Sequence, residues 1–173
     1  PPPPPAWTLQ QASALVGYIN NVGGDGLSPA DYDPAGLIAA VQSNDPALLA
    51  EAATDRFNKL SSDLALGHVR GDARIDWHVV DNDLDAVRQR QMLEAALVTN
   101  RIPEVLNSLL PTHPQYGSLR TALSITPKTD TQQINKIRLN LDRWRWLPRE
   151  LGQRYIIVNV PSYYATLVEN GAT

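Results

Sequence analysis

The sequence predicts a mainly α protein with a C-terminal β-hairpin segment, and three observations carry that expectation. Apolar residues recur at spacings of three and four along most of the chain, the period of a helix with one buried face. Ser28-Pro29, Asp33-Pro34 and Asp45-Pro46 each place proline after an oxygen-bearing residue, the signature of a helix start. The last stretch, RYIIVNVPSYYATLVENGAT, abandons the helical period for a β-branched run.

Composition sets the outer bounds. At 173 residues the chain can hold one ordinary domain with a sizeable core, and 43% apolar with 19% charged residues suits a folded globular protein. A net charge of -3 gives no electrostatic case for nucleic acid or an anionic membrane, so no nucleic-acid partner is expected. There is no cysteine, which removes disulfides, thiolate metal sites and a cysteine nucleophile from these residues. No apolar run approaches the ~20 residues of a membrane span. The chain opens on proline rather than methionine, consistent with removal of a targeting segment.

The elements follow in order. Residues 1–5 are all proline, an extended spacer read as a linker, with a proline-recognition ligand as the less specific alternative. Thr8-Leu9-Gln10-Gln11 has capping-box spacing, and Ala12, Val16 and Ile19 mark one face of the helix beyond it. NNVGGDG ends that helix, because glycine suits the turn after a helix and not its interior. From Pro46, Leu49, Ala53, Phe57, Leu60 and Leu64 predict the longest helix, with Glu51, Asp55, Lys59 and Asp63 on its polar face.

GHVRGDARIDWHVVDND then breaks the helical pattern. Helical spacing resumes at Leu84, Val87, Gln91, Met92 and Ala95, and again over residues 103–110. Pro114 starts a short helix through Leu119, Ala122 and Leu123. Asp130-Thr131-Gln132-Gln133 has the spacing of a second capping box, before a helix whose face carries Ile134, Ile137, Leu141 and Trp144 and which Pro148 ends. Residues 155–160 read as a strand, and residues 163–168 alternate as a second one. Asn170-Gly171 is a hairpin signal, since both central positions of a type I′ turn need positive φ. Only Ala172 and Thr173 follow it, so the expectation is a sheet continued elsewhere, in a longer protein.

The densest ionisable cluster is His68, Arg70, Asp72, Arg74, Asp76 and His78. A hydrolytic metal site needs converging histidine or carboxylate ligands with an open position, and the separation of these histidines across a glycine-broken loop is no recognised ligand spacing. The plainer expectation is a structural loop. Its arginines pair with aspartates or cap neighbouring helices, its histidines bond to backbone, and Val69, Ile75 and Trp77 hold it to the body. Arg70-Gly71-Asp72 spells an adhesion tripeptide too short to be specific. His113 with a serine and an aspartate lacks any nucleophile elbow. Trp144-Arg145-Trp146 is either a stacking platform for sugar rings or core, with Trp144 on the apolar face and Trp146 placed to cover the first strand. No residue is assigned a catalytic, cofactor-binding or metal-binding role, and no cofactor is expected.

DLALGHVRGDARIDWHV, LLPTHPQYGSLRTAL and above all INKIRLNLDRWRWLPRELGQRYIIVNVPSYYATLVENG resemble the large murein L,D-transpeptidases that carry a helical scaffold domain. The resemblance runs from about Trp7 to the last residue. It implies a linker at residues 1–6, a helical scaffold domain at 7–147, and at 148–173 the first strands of a catalytic domain. The family's chemistry implied by the resemblance is peptidoglycan cross-linking through a cysteine thioester. Its motif, a histidine followed by Ser-His-Gly-Cys and an arginine, has no counterpart here, so no catalytic residue carries over. SITPKTDTQQ, between Leu123 and Ile134, is too short for the small peptidoglycan-binding domain that many relatives insert there.

The resemblance further implies a periplasmic location after signal-peptide removal, with the missing catalytic domain of the same protein as partner and peptidoglycan as the parent enzyme's substrate. Open strand edges add possible self-association, with the two segments pairing with another copy or folding against the helix that carries Trp144 and Trp146. The rival expectation is a free-standing helical interaction module of the cell envelope without enzymatic activity.

Overall fold

The computed structural model describes residues 3–80, 83–159 and 163–170. Among these, seven α-helices precede one antiparallel pair of strands, so the protein is mainly α with a C-terminal β-hairpin. Asp81, Asn82, Pro161 and Gly171, on which parts of the loop and turn expectations fall, lie outside the described residues.

The first helix, α1 (Leu9–Asn21), begins at the expected box: Thr8 accepts the Gln11 amide and the Gln11 side chain accepts the Thr8 amide. Its fully buried residues are Ala12, Leu15 and Ile19, with Val16 partly buried at the rim. The seam is therefore centred one position earlier than expected. A short 3-10 turn, Val22–Asp25, follows the helix.

Ser28-Pro29 yields a single 3-10 turn, Pro29–Tyr32, and the Ser28 side chain makes no capping bond. The turn stops because Asp33 adopts a left-handed conformation, φ 42, to cap the next helix, α2 (Pro34–Gln42). Asp33 accepts the Gly36 amide at 3.0 Å and pairs with Arg56 at 2.5 Å. Asp45 caps α3 (Pro46–Leu66) through the amides of Ala47 and Leu48.

All five inward positions expected on α3 are buried, Phe57 and Leu60 completely. Each side chain of that size stabilises the fold by roughly 1.5–3 kcal/mol. Asp63 departs from expectation, because it is buried rather than solvated with Glu51, Asp55 and Lys59. It lies roughly 80° from the centre of the apolar stripe, at the border where a neighbouring loop can cover it.

The remaining helices are α4 (Ala86–Thr99), α5 (Ile102–Asn107), α6 (Pro114–Ile125) and α7 (Thr131–Arg145). On α4 the expected stripe is displaced: Leu93 and Ala96 are buried, whereas Val87, Gln91 and Ala95 are exposed. The sequence offers two weak stripes on this helix. Gln89 selects one by donating to the Asn58 carbonyl at 2.7 Å and to Ser61 Oγ at 2.9 Å on α3. Asp130 caps α7 through the Gln133 amide.

The apolar interior has two parts. The larger joins Trp7 to buried residues of α1, α2, α3, α4 and α5, with the Trp7 indole donating to Thr54 at 3.0 Å. The smaller is Tyr116, Ile137 and Leu141, between α6 and α7. Leu110 packs against both.

Strands β1 (Arg154–Asn159) and β2 (Tyr164–Glu169) pair with each other, from Arg154↔Glu169 at the root to Asn159↔Tyr164. The two segments thus form the expected C-terminal β-hairpin, pairing with each other rather than folding back on the face of α7. Cross-strand bonding is available locally, and Arg154 and Glu169 close the root with an ion pair of 2.9 Å. Ile156 and Val158 remain 65% and 66% exposed, so the pair satisfies its inner edges without acquiring a core.

Candidate functional site

The chemistry-bearing side chains converge at the C-terminal end of α7, where buried polar groups tie the two parts of the interior together. Asp142 lies just beyond Leu141 on that helix. Its Oδ1 accepts the His68 amide at 2.6 Å, and its Oδ2 accepts the Val69 amide at 3.1 Å and the Trp146 indole N–H at 2.9 Å. The chain can present those amides because α3 ends at Gly67, φ 85, beneath the same indole.

Arg145 is the second member. It donates to the backbone carbonyl of Asp25 and to Tyr116 Oη at 2.9 Å, and lies 3.5 Å from Asp142. Tyr116 in turn donates to Asp25 Oδ1 at 3.1 Å, and Arg120 meets the same carboxylate at 3.0 Å. Burial pushes the Tyr116 phenol up to about 12, opposed by Arg145 and reinforced by Asp25. Each buried charge is thus matched by an opposite charge or a hydrogen bond, the condition on which a buried ionic group is tolerated.

A third feature surrounds the last turn of α3. Arg70 donates to the Ser62 carbonyl at 2.8 Å, Arg74 to that of Leu66, and Arg149 to that of Ala65 at 2.8 Å. Three cations therefore gather at the negative end of the longest helix. Arg149 also donates to the Leu109 carbonyl, at 3.0 Å, at the end of α5.

The loop after α3 is held as a structural element, with corrections of detail. Arg70 pairs at 3.4 Å with Asp63 of α3 rather than with a loop aspartate, and Arg74 serves backbone carbonyls. His68 Nδ1 meets Asp63 Oδ2 at 2.8 Å, so its partner is a carboxylate and not backbone. Tyr32 donates to the same oxygen at 2.9 Å, and burial followed by the Asp63 charge raises its phenol well above the ordinary range. Trp77 packs edge-on to Trp146 with ring centres 5.4 Å apart. Ile75 does not hold the loop: it is 83% exposed.

The three histidines do not converge. His68 sits beside Asp63, His78 is exposed in the loop, and His113 accepts the Gln115 amide at 3.2 Å as the cap of α6. Among the described residues no group of three or more His, Asp or Glu is placed to hold a metal ion. No helix there is long and apolar enough to cross a membrane.

Trp144-Arg145-Trp146 divides three ways. Trp144 is half-buried and stacks on His113, with centres 4.5 Å apart. Arg145 is interior. Trp146 packs on the loop and not, as expected, over the first strand, because its indole is drawn to Asp142 on its own helix. A cleft of 480 Å³ lies beside Trp144, between Thr112 and His113 on one wall and Leu151, Gln153 and Tyr155 on the other.

Sequence reasoning missed Asp25, Tyr116, Asp142 and Arg145. A partial signal existed for Arg145, which lies roughly 60° from the centre of the α7 stripe, inside a typical buried sector. Asp25 is beyond such reasoning, since its partners come from helices far along the chain.

Residues 3–123 match the family model described as Scaffold domain. No curated protein and no solved structure matches the chain. The matched segment contains Asp25, His68, Val69 and Tyr116, the groups to which α7 is bonded from outside it.

Proposed function

The chain belongs to the Scaffold domain family, and from that premise we propose that it is the non-catalytic scaffold portion of a periplasmic L,D-transpeptidase that cross-links peptidoglycan peptide stems. The observation that carries the reading is the junction. The segment LDRWRWLPRE lies beyond the family match, yet Asp142, Arg145 and Arg149 bond it to residues of the matched segment, ahead of the β-hairpin. This is the segment whose resemblance to the transpeptidases is most specific. In this reading β1 and β2 open the catalytic domain, which supplies the cysteine and the histidine, while residues 7–147 give it a fixed base.

No thioester can form on this chain, because it has no thiol. Purified protein incubated with tetrapeptide-stem muropeptides is expected to leave them unchanged by mass spectrometry. Cross-linked or trimmed stems, in a sample free of contaminating enzyme, would overturn the non-catalytic assignment.

The second reading, a free-standing interaction module of the envelope, is favoured by one observation. β1 and β2 find their partners in each other, so the described hairpin has its ladder without a further domain.

A further inference from the structure

We infer that residues 150–152 form a hinge, about which the hairpin swings against the helical body and opens or narrows the cleft between them. Both flanks of the segment are fixed. On the body side the Arg149 amide donates to Asp83 Oδ2 at 2.7 Å, and its guanidinium holds the carbonyls of Ala65 and Leu109. On the hairpin side the Gln153 carbonyl accepts the Asn170 amide at 2.6 Å, next to the Arg154–Glu169 ion pair.

Between these anchors, Glu150, Leu151 and Gly152 make no hydrogen bond or ion pair with any described residue. Gly152 has φ 85, and nothing lies within 4 Å of where a Cβ would sit. Glycine is required there for backbone conformation and not for space. Little apolar burial opposes the movement either. Tyr155 is half-buried and Val168, its cross-strand partner, is covered, while most other side chains of both strands are exposed. Two anchored bodies joined by a few unbonded residues, one in a conformation only glycine takes easily, is the anatomy of a hinge.

The consequence falls on the cleft. Its walls belong to the two bodies: Thr112, His113 and Trp144 to the helical body, Gln153 and Tyr155 to the hairpin root. Rotation at residues 150–152 therefore changes its width while leaving the apolar interior of the helical body intact.

The chain has no native cysteine, so paired spin labels report the movement cleanly. One pair is Ser118→Cys with Ala165→Cys, between α6 and β2; the reference pair is Ser118→Cys with Lys136→Cys, within the body. All these sites are exposed. The inter-body distance distribution is expected to be broader than the reference. Gly152→Ala should shift its mean, and Gly71→Ala, at a glycine of φ 51 with open space around it, should not. Hydrogen exchange should show the β1–β2 amides protected throughout. An inter-body distribution as narrow as the reference overturns the hinge, as does a mean that Gly152→Ala leaves unmoved. Unprotected strand amides overturn it too, since the hairpin would then melt rather than swing.

Discussion

The guanidinium of Arg145, on α7, donates to the backbone carbonyl of Asp25, in the turn after α1, and is only 1% exposed. The smaller apolar cluster of α6 and α7 meets the main core partly through this contact. The attachment of α7 therefore rests on matched buried charge as well as on apolar area. Removing one partner leaves Asp142 and the Asp25 carbonyl buried without their cation. Arg145→Ala should destabilise the chain by ~3–5 kcal/mol, measured by urea denaturation. Arg145→Lys should restore only part of this, because an ammonium cannot reach both Tyr116 and the carbonyl in one plane. A cost within error of zero for the alanine variant would mean that α7 is held by its apolar face alone.

Gly67 ends α3 at φ 85, with the Trp146 indole where its Cβ would be. Gly67→Ala suffers backbone strain of about 1–3 kcal/mol and must also displace the indole from Asp142. Gly71→Ala, in open space, meets only the strain. The larger loss of stability is expected at Gly67, with a change in tryptophan fluorescence that Gly71→Ala does not produce.

Trp77 and Ile75 separate two accounts of the loop. Trp77 is half-buried against Trp146, so Trp77→Ala should cost roughly 1–2 kcal/mol, below the ~3–5 kcal/mol of a fully buried aromatic. Ile75 is exposed, and Ile75→Ala should fall within about 0.5 kcal/mol of the parent. Equal losses in thermal unfolding would show that the loop is anchored along its whole length.

What the sequence revealed, and what it concealed, follows from the range of the interactions. The start of α1 was legible because Thr8 and Gln11 bond within one turn, and the core of α3 because Leu49, Ala53, Phe57, Leu60 and Leu64 repeat one period. The α4 stripe was misplaced because its two candidate faces differ little until α3 takes hold of Gln89. The sequence puts Asp63 on the polar face of α3, since its covering residues, Tyr32, His68 and Arg70, come from a turn and a loop with no periodicity. The junction itself was hidden for the same reason. Asp142 looks like an ordinary surface charge, and Arg145 shows only its place at the edge of the α7 stripe, until Asp25, Tyr116 and the amides after Gly67 arrive from elsewhere in the chain.

Alkaline pH should loosen that junction. The Tyr116 phenol is held at about 12 in the fold, against an ordinary value of 10.0, chiefly by burial. The folded state thus keeps a proton that the unfolded chain releases. The contribution is complete below pH 10 and disappears as pH rises through the folded value, in all about 2–3 kcal/mol. Burial pushes the phenols of Tyr18 and Tyr32 in the same direction. The urea midpoint should therefore fall steadily above pH 10, and less steeply in Tyr116→Phe, which has no proton to lose there. Identical slopes would contradict the assignment of Tyr116 to a buried site.

We propose that residues 7–147 serve as the base for a catalytic domain that β1 and β2 begin. Reading the encoding gene beyond the codon for Thr173 tests this most directly. The account predicts an open frame that completes the sheet and encodes a histidine followed by Ser-His-Gly-Cys. A stop codon directly after Thr173 would contradict it and leave the free-standing module as the reading.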